Sequence, residues 1–432
     1  MTYSRITQTA VLASLGLVSG YGMLSNSFAM AQQEADGASG PVLTVSLSQN
    51  LSFDSNAGLA SSGGDSTVQA NAGLSFALTD ETALSTFALT GSTGLRLADG
   101  PATSGFEAAL ADPRIALSYA RIGATARLDL DAGLRINDIV YLRPLTDFLD
   151  ENGVPQLPSD FADLRGSGTR QNLNFDVSLS LRDDAPFGIV LAAGVSDLRY
   201  TDVTDPDLTD NQRSYLRATA RLDINDVTQA TVGLAYATYT DDDESNDTLG
   251  LTGALSIARP DGELRFNLGL DDLAGDPRGS FSVGRSFDRP TGSLSFDLGT
   301  AIDDNGDLDL TGQIGLTREF ARGSASASLS QSLAQGTGDA QELQTALSLG
   351  FQSELSDLAS LSLGLAYAFS QDTDTGVSVA SASLTASLGY ALSPDWNLNV
   401  GASYESREED GAGSAQNTSV FVGLSRDFAF PL

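Results

Sequence analysis

The chain has 432 residues, 56 acidic against 23 basic, and a formal net charge of −33 at pH 7, a balance that argues against nucleic acid as a partner. It contains no His and no Cys, and every basic residue is Arg, so Ser-His-Asp, Cys-His and Asp-His catalysis are excluded, as are zinc, haem and iron–sulfur sites built from those ligands. Disorder is excluded too, because 41% of residues are hydrophobic and they alternate with polar ones instead of being diluted.

Residues 1–31 read as a removable secretory signal peptide. Arg5 is their only charge, an apolar run extends from Ala10 to Leu24, and Ala29-Met30-Ala31 supplies small residues before a cut. No cysteine follows, which excludes lipid anchoring at one. Elsewhere no uninterrupted apolar stretch approaches the ~18 residues a spanning helix needs, so a membrane-spanning reading requires strands. Residues 32–41 form a short polar lead, too short to hold a folded plug ahead of Val42.

From Val42 onward the hydrophobic period is two. Leu43, Val45, Leu47, Leu51 and Phe53 oppose Thr44, Ser46, Ser48, Asn50 and Ser52, and Leu173, Phe175, Val177, Leu179 and Leu181 oppose Asn174, Asp176, Ser178 and Ser180. Such runs predict strands near 42–54, 66–78, 83–97, 111–121, 124–141, 169–182, 188–200, 212–224, 228–240, 247–258, 263–271, 278–288, 293–302, 307–320, 324–334, 342–353, 359–370, 377–390, 396–405 and 417–430. The predicted fold is all-β, a closed antiparallel transmembrane barrel of about 20 strands, with 16 to 20 compatible with the pattern. Each run has about the ~9–11 residues that cross a bilayer as a tilted strand. The runs 188–200 and 377–390 change parity partway, which predicts a bulge in each. A soluble solenoid is the rival fold, but the spacing of successive strand ends suits hairpins better than coils of roughly 20–30 residues.

On the strand from Ala124, Arg127, Asp129, Asp131 and Arg135 share the polar parity, and on the strand from Gln212, Arg213, Arg217 and Arg221 do the same beside Tyr215. These are the predicted pore-lining residues. The longest connection, 142–168, carries Asp147, Asp150, Glu151, Asp160 and Asp163 among apolar Leu145, Phe148, Leu149, Val154, Leu157 and Phe161. A loop of this length with its own apolar content is expected to pack on something. An arginine ladder opposite an acidic loop would set a transverse field across a channel; the alternative is that each arginine pairs with a neighbouring Asp. Asp303-Asp304-Asn305-Gly306-Asp307 hints at a calcium loop but lacks the full spacing, and Asn-Gly is equally a hairpin turn, so no metal is assigned.

Connections alternate between tight turns, such as Arg259-Pro260-Asp261-Gly262 and Arg289-Pro290-Thr291-Gly292, and longer acidic loops, such as 201–211 and 241–247. Strand ends of the type Gly315-Leu316-Thr317-Arg318-Glu319-Phe320 recur before the tight turns and collect arginines and aromatics at one rim, as expected where a membrane meets water. The last strand repeats this ending as Gly423-Leu424-Ser425-Arg426-Asp427-Phe428-Ala429-Phe430. Its apolar face, Val420, Val422, Leu424 and Phe428, needs a partner, and at the chain's end only the first strand can supply one.

With these features the chain resembles the bacterial outer-membrane β-barrels, and more particularly the porins. The resemblance covers nearly all of residues 42–430 as architecture; its local motif is the closing strand, with Val420, Val422, Leu424, Phe428 and Phe430 corresponding to the family's assembly signal, although Pro431-Leu432 follow the final aromatic and Arg426 occupies an apolar position. It implies insertion into the outer membrane by the barrel-assembly machinery, and contact with outer-membrane lipids and lipopolysaccharide; from their own charge, the acidic loops are expected to form a solvated surface that divalent ions bridge to lipopolysaccharide phosphates. It also implies a constriction formed by loop 142–168. The expected function is passive, cation-preferring diffusion of small hydrophilic solutes and ions, with no cofactor, no enzymatic activity and a possible homo-oligomer. The alternatives are a structural or surface-interaction barrel with little conductance, and a substrate-selective transporter.

Overall fold

In the computed structural model the described residues are 40–432 apart from 62–63, 65, 100–106, 142–143, 151–152, 165, 183, 207, 242–244, 274–275, 303–305 and 336–340. The reading of residues 1–31 as a signal peptide, most of the polar lead, Glu151 and most of the calcium-like run lie outside them. Twenty strands follow one another: β1 (Val42–Asp54), β2 (Thr67–Glu81), β3 (Ser85–Asp99), β4 (Glu107–Ile122), β5 (Ala126–Asp138), β6 (Thr169–Leu181), β7 (Phe187–Thr201), β8 (Asn211–Asn225), β9 (Thr228–Asp241) and β10 (Ser245–Arg259) make the first half. The second half is β11 (Gly262–Leu273), β12 (Asp276–Arg289), β13 (Gly292–Ile302), β14 (Leu308–Phe320), β15 (Gly323–Gln335), β16 (Gln341–Ser356), β17 (Ala359–Asp372), β18 (Ser378–Ser393), β19 (Trp396–Glu409) and β20 (Gly413–Pro431).

Every consecutive pair is antiparallel, and β20 pairs with β1. The closing ladder sets Phe430 opposite Leu43, Phe428 opposite Val45, Val422 opposite Leu51 and Val420 opposite Phe53. Closure leaves the sheet with no edge to aggregate or exchange. The all-β closed barrel expected from the alternation is thus the fold, at the 20-strand count.

Burial is inverted relative to a water-soluble protein. Leu47, Leu51 and Phe53 of β1 are about half exposed, while Ser46 and Asp54 on its other face are buried. The same holds around the ring, with Leu216, Leu234, Leu251, Leu298 and Leu310 exposed. An apolar outer face and a polar inner face are the arrangement of a barrel solvated by hydrocarbon outside and water inside.

The two parity changes have a cause other than the expected bulges. The β6–β7 and β7–β8 ladders run without a register shift, and on β18 the only shift lies at Ala391/Ser393, next to a tight turn. Leu198 and Tyr200 of β7 and Val379 of β18 are apolar side chains on the inner face, and Leu198 and Val379 are buried there. Something inside the barrel covers them. The bulge in the wall with a side-chain consequence is instead on β4, where Ala111 and Arg114 face successive partners at Gly94 and Ser92 and Asp112 takes a positive φ of 41°.

Candidate functional site in the barrel lumen

The connection between β5 and β6 turns into the barrel. After β5, Ile139–Tyr141 and Leu145–Phe148 form short 3-10 turns. Leu145, Phe148, Phe161 and Leu164 are all but fully buried against Ala366 and Ala368 of β17 and Val379 of β18, with Phe148 and Phe161 meeting edge to face at 5.5 Å. Two alanines on the inner face of β17 leave the room that these larger side chains fill. The apolar content of the loop is therefore its own core, closed by the barrel wall.

A polar latch holds the same segment to another part of the wall. Arg170 of β6 and Tyr200 of β7 stand directly opposite one another, and both reach Asp160. The Arg170 Nε donates to Asp160 Oδ2 at 2.6 Å and its Nη2 to Oδ1 at 2.8 Å, while the Tyr200 hydroxyl donates to Oδ2. Asp160 has no solvent exposure. Burial alone would raise its carboxyl, but the Arg170 charge and the hydrogen bonds from Arg170 and Tyr200 outweigh that and hold it below the ordinary value. One residue on, the Phe161 carbonyl accepts from Arg407 Nη2 of β19 at 3.0 Å, and the Arg407 guanidinium lies 4.9 Å from the Phe161 ring centre. The segment at Asp160–Phe161 thus ties β6 and β7 to β19 across the lumen.

The root of the loop is clamped as well. Arg96 of β3, almost fully buried, bonds Asp112 at 2.9 Å and covers the Tyr141 ring at 4.0 Å, and Asn137 donates to the other Asp112 oxygen. Thr146 donates to Glu405 of β19 at 3.0 Å. Asp150 closes its own turn, accepting from the Val154 amide.

Two clefts border the loop. One, of about 190 Å³, lies between its root and the β19-β20-β1-β2-β3 wall and contains Asp54, Arg96, Asp147 and Glu405. Burial pushes the Asp147 carboxyl up to about 8, with Asp112 and Glu405 adding to the rise and Arg135 and Arg96 opposing it. The other, of about 350 Å³, separates Val154–Leu157 from the inner faces of β13 to β16. Ser295, Gln313, Ser328, Ser330, Ser332 and Gln344 line it, with no ionisable side chain.

The arginines expected along the pore are on the inner face, and most have local partners. Arg127 is bidentate to Asp129 on its own strand, Arg217 stands over Tyr215 and Arg213 over Tyr239, and Arg221 reaches the Ala185 carbonyl at 2.9 Å and Asp223 at 3.8 Å. The Tyr215 hydroxyl donates to Asp176 at 2.7 Å, its ring lying over Gly194, where a Cβ would come within 2.5 Å of the ring. Asp131 sits near Asp129 and Asp176, and Arg135 is near Asp147. Asp163 belongs to the helical turn after Pro158, its amide bonded to the Asp160 carbonyl. Of the acidic loop residues, Asp160 is consumed by the latch and Asp147 faces a cleft.

Sequence reasoning overlooked Arg170, Tyr200, Arg407 and Glu405. A usable signal was present: large or cationic side chains at inner-face positions on strands whose remaining inner residues are small and polar.

No family model matches the chain, and no curated protein matches it. Solved structures do. A ferric enterobactin receptor from Pseudomonas aeruginosa aligns with 12% identity over 91% of this chain and 81% of its own, with a TM-score of 0.52. A siderophore receptor from the same organism aligns with 12% identity over 89% and 80%, at 0.50. An iron transporter from Neisseria meningitidis aligns with 10% identity over 92% and 83%, at 0.52. At such identities the likeness is one of fold, and the chain has the fold of the bacterial outer-membrane β-barrels.

Proposed function

We propose that this barrel is a solute-selective channel of the outer membrane, its lumen narrowed by the latched 142–168 loop. The observation that carries the reading is the Asp160 latch with its apolar core. A 20-strand barrel is too wide for its wall side chains to fill, and here an ordered segment crosses that space and leaves small clefts of distinct chemistry. Free diffusion through an open lumen, as first expected from the sequence, fits that arrangement less well than selective passage. Three solved structures of similar fold are a ferric enterobactin receptor, a siderophore receptor and an iron transporter, which supports uptake as the general task without naming this chain's solute. Small hydrophilic solutes and ions are the proposed cargo, with cations preferred in the cleft that holds Asp54, Asp147 and Glu405. The tight-turn end, which also carries both ends of the barrel, faces the periplasm in this reading, and the long-loop end faces outward.

Planar-bilayer recording of the refolded chain tests it. Small, steady, cation-selective unitary steps are expected. Large steps without selectivity would return the reading to an open porin, and silence from a folded barrel would favour a display role.

A further inference from the structure

The outer surface of the barrel is sorted by charge. On the lipid-facing parity, Arg121, Arg259, Arg285, Arg289, Arg318 and Arg426 all lie at the tight-turn ends of their strands, where Asp80 is the one strand carboxylate of that parity among the described residues and the turn residues Asp261 and Asp395 reach Arg285 at 2.5 Å and Arg426 at 3.9 Å. At the opposite rim the same parity carries Asp99, Asp197, Asp247, Asp272 and Glu408, and its one arginine among the described residues, Arg199, is bonded to Asp197 at 2.9 Å. Arginine facing hydrocarbon is unfavourable, and the cost falls toward zero only at the headgroup level. A one-ended arrangement of this kind therefore needs an anionic layer at that level.

Four of the six arginines cluster on β10, β12 and β14. Gly292 opens β13 with a φ of +146°, and a Cβ there would fall 2.1 Å from the Thr317 carbonyl oxygen, so the position is closed to any side chain. It pairs with Arg289 on one side and Arg318 on the other. Two ladder spacings put these arginine backbones roughly 10 Å apart, with an empty notch between them. Arg259 faces Gly262 in the same way two strands earlier. Arg285 is neutralised by Asp261, but among the described residues Arg259, Arg289 and Arg318 form no ion pair with a carboxylate. Phe287 and Phe296, with ring centres 6.4 Å apart, and Phe320, stacked beside Arg318, floor the patch with rings.

We propose that this notch is a docking site for anionic phospholipid: Arg289 and Arg318 converge on the phosphodiester, Arg259 extends the cationic rim, and the phenyl rings take the glycerol and first methylenes. The proposal rests on the membrane-spanning reading and is independent of what the lumen conducts. It also gives the barrel an orientation signal, since only one of its two rims is complementary to a phospholipid leaflet.

The test is native mass spectrometry of the refolded full chain exposed to phosphatidylglycerol or phosphatidylcholine, with Arg259→Gln/Arg289→Gln/Arg318→Gln as the variant and Arg199→Gln as the control. An arginine beside an anionic lipid surface contributes about fivefold in affinity. The triple variant should accordingly lose phosphatidylglycerol adducts by about a hundredfold, while Arg199→Gln keeps them. Inorganic phosphate should not displace the lipid, because the rings hold its apolar part. Equal retention of both lipids by the native chain, unchanged adducts in the triple variant, or displacement by phosphate would each overturn the proposal. Unitary conductance measured on the same samples keeps this outcome separate from failure of the channel reading.

Discussion

Replacing Asp160 by Ala removes the acceptor for two Arg170 nitrogens and the Tyr200 hydroxyl. Arg170, at 6% exposure, is then a buried cation without a counter-charge, a situation that costs about 3–5 kcal/mol in comparable buried pairs. The twenty-strand ladder does not involve Asp160, so the cost falls on docking of the loop. At about 1.4 kcal/mol per tenfold, the docked-to-released ratio drops by roughly a hundredfold to several thousandfold. Single-channel recording should show a second, larger conductance level in Asp160→Ala, and protease should cut within 142–168 while the barrel keeps its heat-modifiable migration. Asp160→Ala/Arg170→Met, which also removes the stranded charge, should recover much of the docked state. An Asp160→Ala channel with native conductance and native protease resistance would refute the latch.

Four further outcomes follow from the same geometry. The Asp147 carboxyl titrates at about 8 when the loop is docked, against an ordinary 3.8; docking therefore loses stability as pH rises from about 4 to 8 and changes no further above that, and cation selectivity should rise through pH 8 in the native chain and stay flat in Asp147→Asn. Asp160 has the opposite sign: its lowered value stabilises docking above its ordinary range, and acidification below about pH 4 should release the loop, read as the same larger conductance level. Phe161→Ala removes a fully buried ring and should weaken docking by about 3–5 kcal/mol, measured by proteolysis within the loop. On the wall, Gly194→Ala would place a Cβ 2.3 Å from an Asp176 oxygen and 2.5 Å from the Tyr215 ring, breaking the Tyr215–Asp176 bond at a cost of about 1–3 kcal/mol, checked by urea titration of the refolded barrel.

The wall was legible in the chain because a two-sided environment writes directly into period two. Leu47, Leu51 and Phe53 meet lipid while Ser46 and Asp54 meet the lumen, so every strand announces itself. The loop was legible as a packing element from Leu145, Phe148 and Phe161, but its seat was not. Ala366, Ala368 and Val379 lie about two hundred residues away in sequence, and nothing local distinguishes an alanine that receives a ring from one that faces water. The parity changes at Leu198–Tyr200 and Val379 were visible, yet period alone cannot separate a bulge from an apolar inner residue with a covering partner. The pairing of Asp160 with Arg170 was hidden for a related reason: both residues appeared as ordinary charges, one in an acidic loop and one at a strand start. Arg213, Arg217 and Arg221 share one parity in the sequence, but Tyr215 and Tyr239, whose rings lie beside the Arg217 and Arg213 guanidinium groups, carry no marker in a pattern that counts charge.

Whether the loop governs the lumen is read most directly from the unitary conductance of the native chain beside that of a chain in which residues 144–164 are replaced by a short Gly-Ser linker, both recorded in planar bilayers under a KCl gradient. Small, cation-selective steps are expected for the native chain and much larger, weakly selective steps for the shortened one. Identical conductance in the two would show that the loop does not govern the lumen.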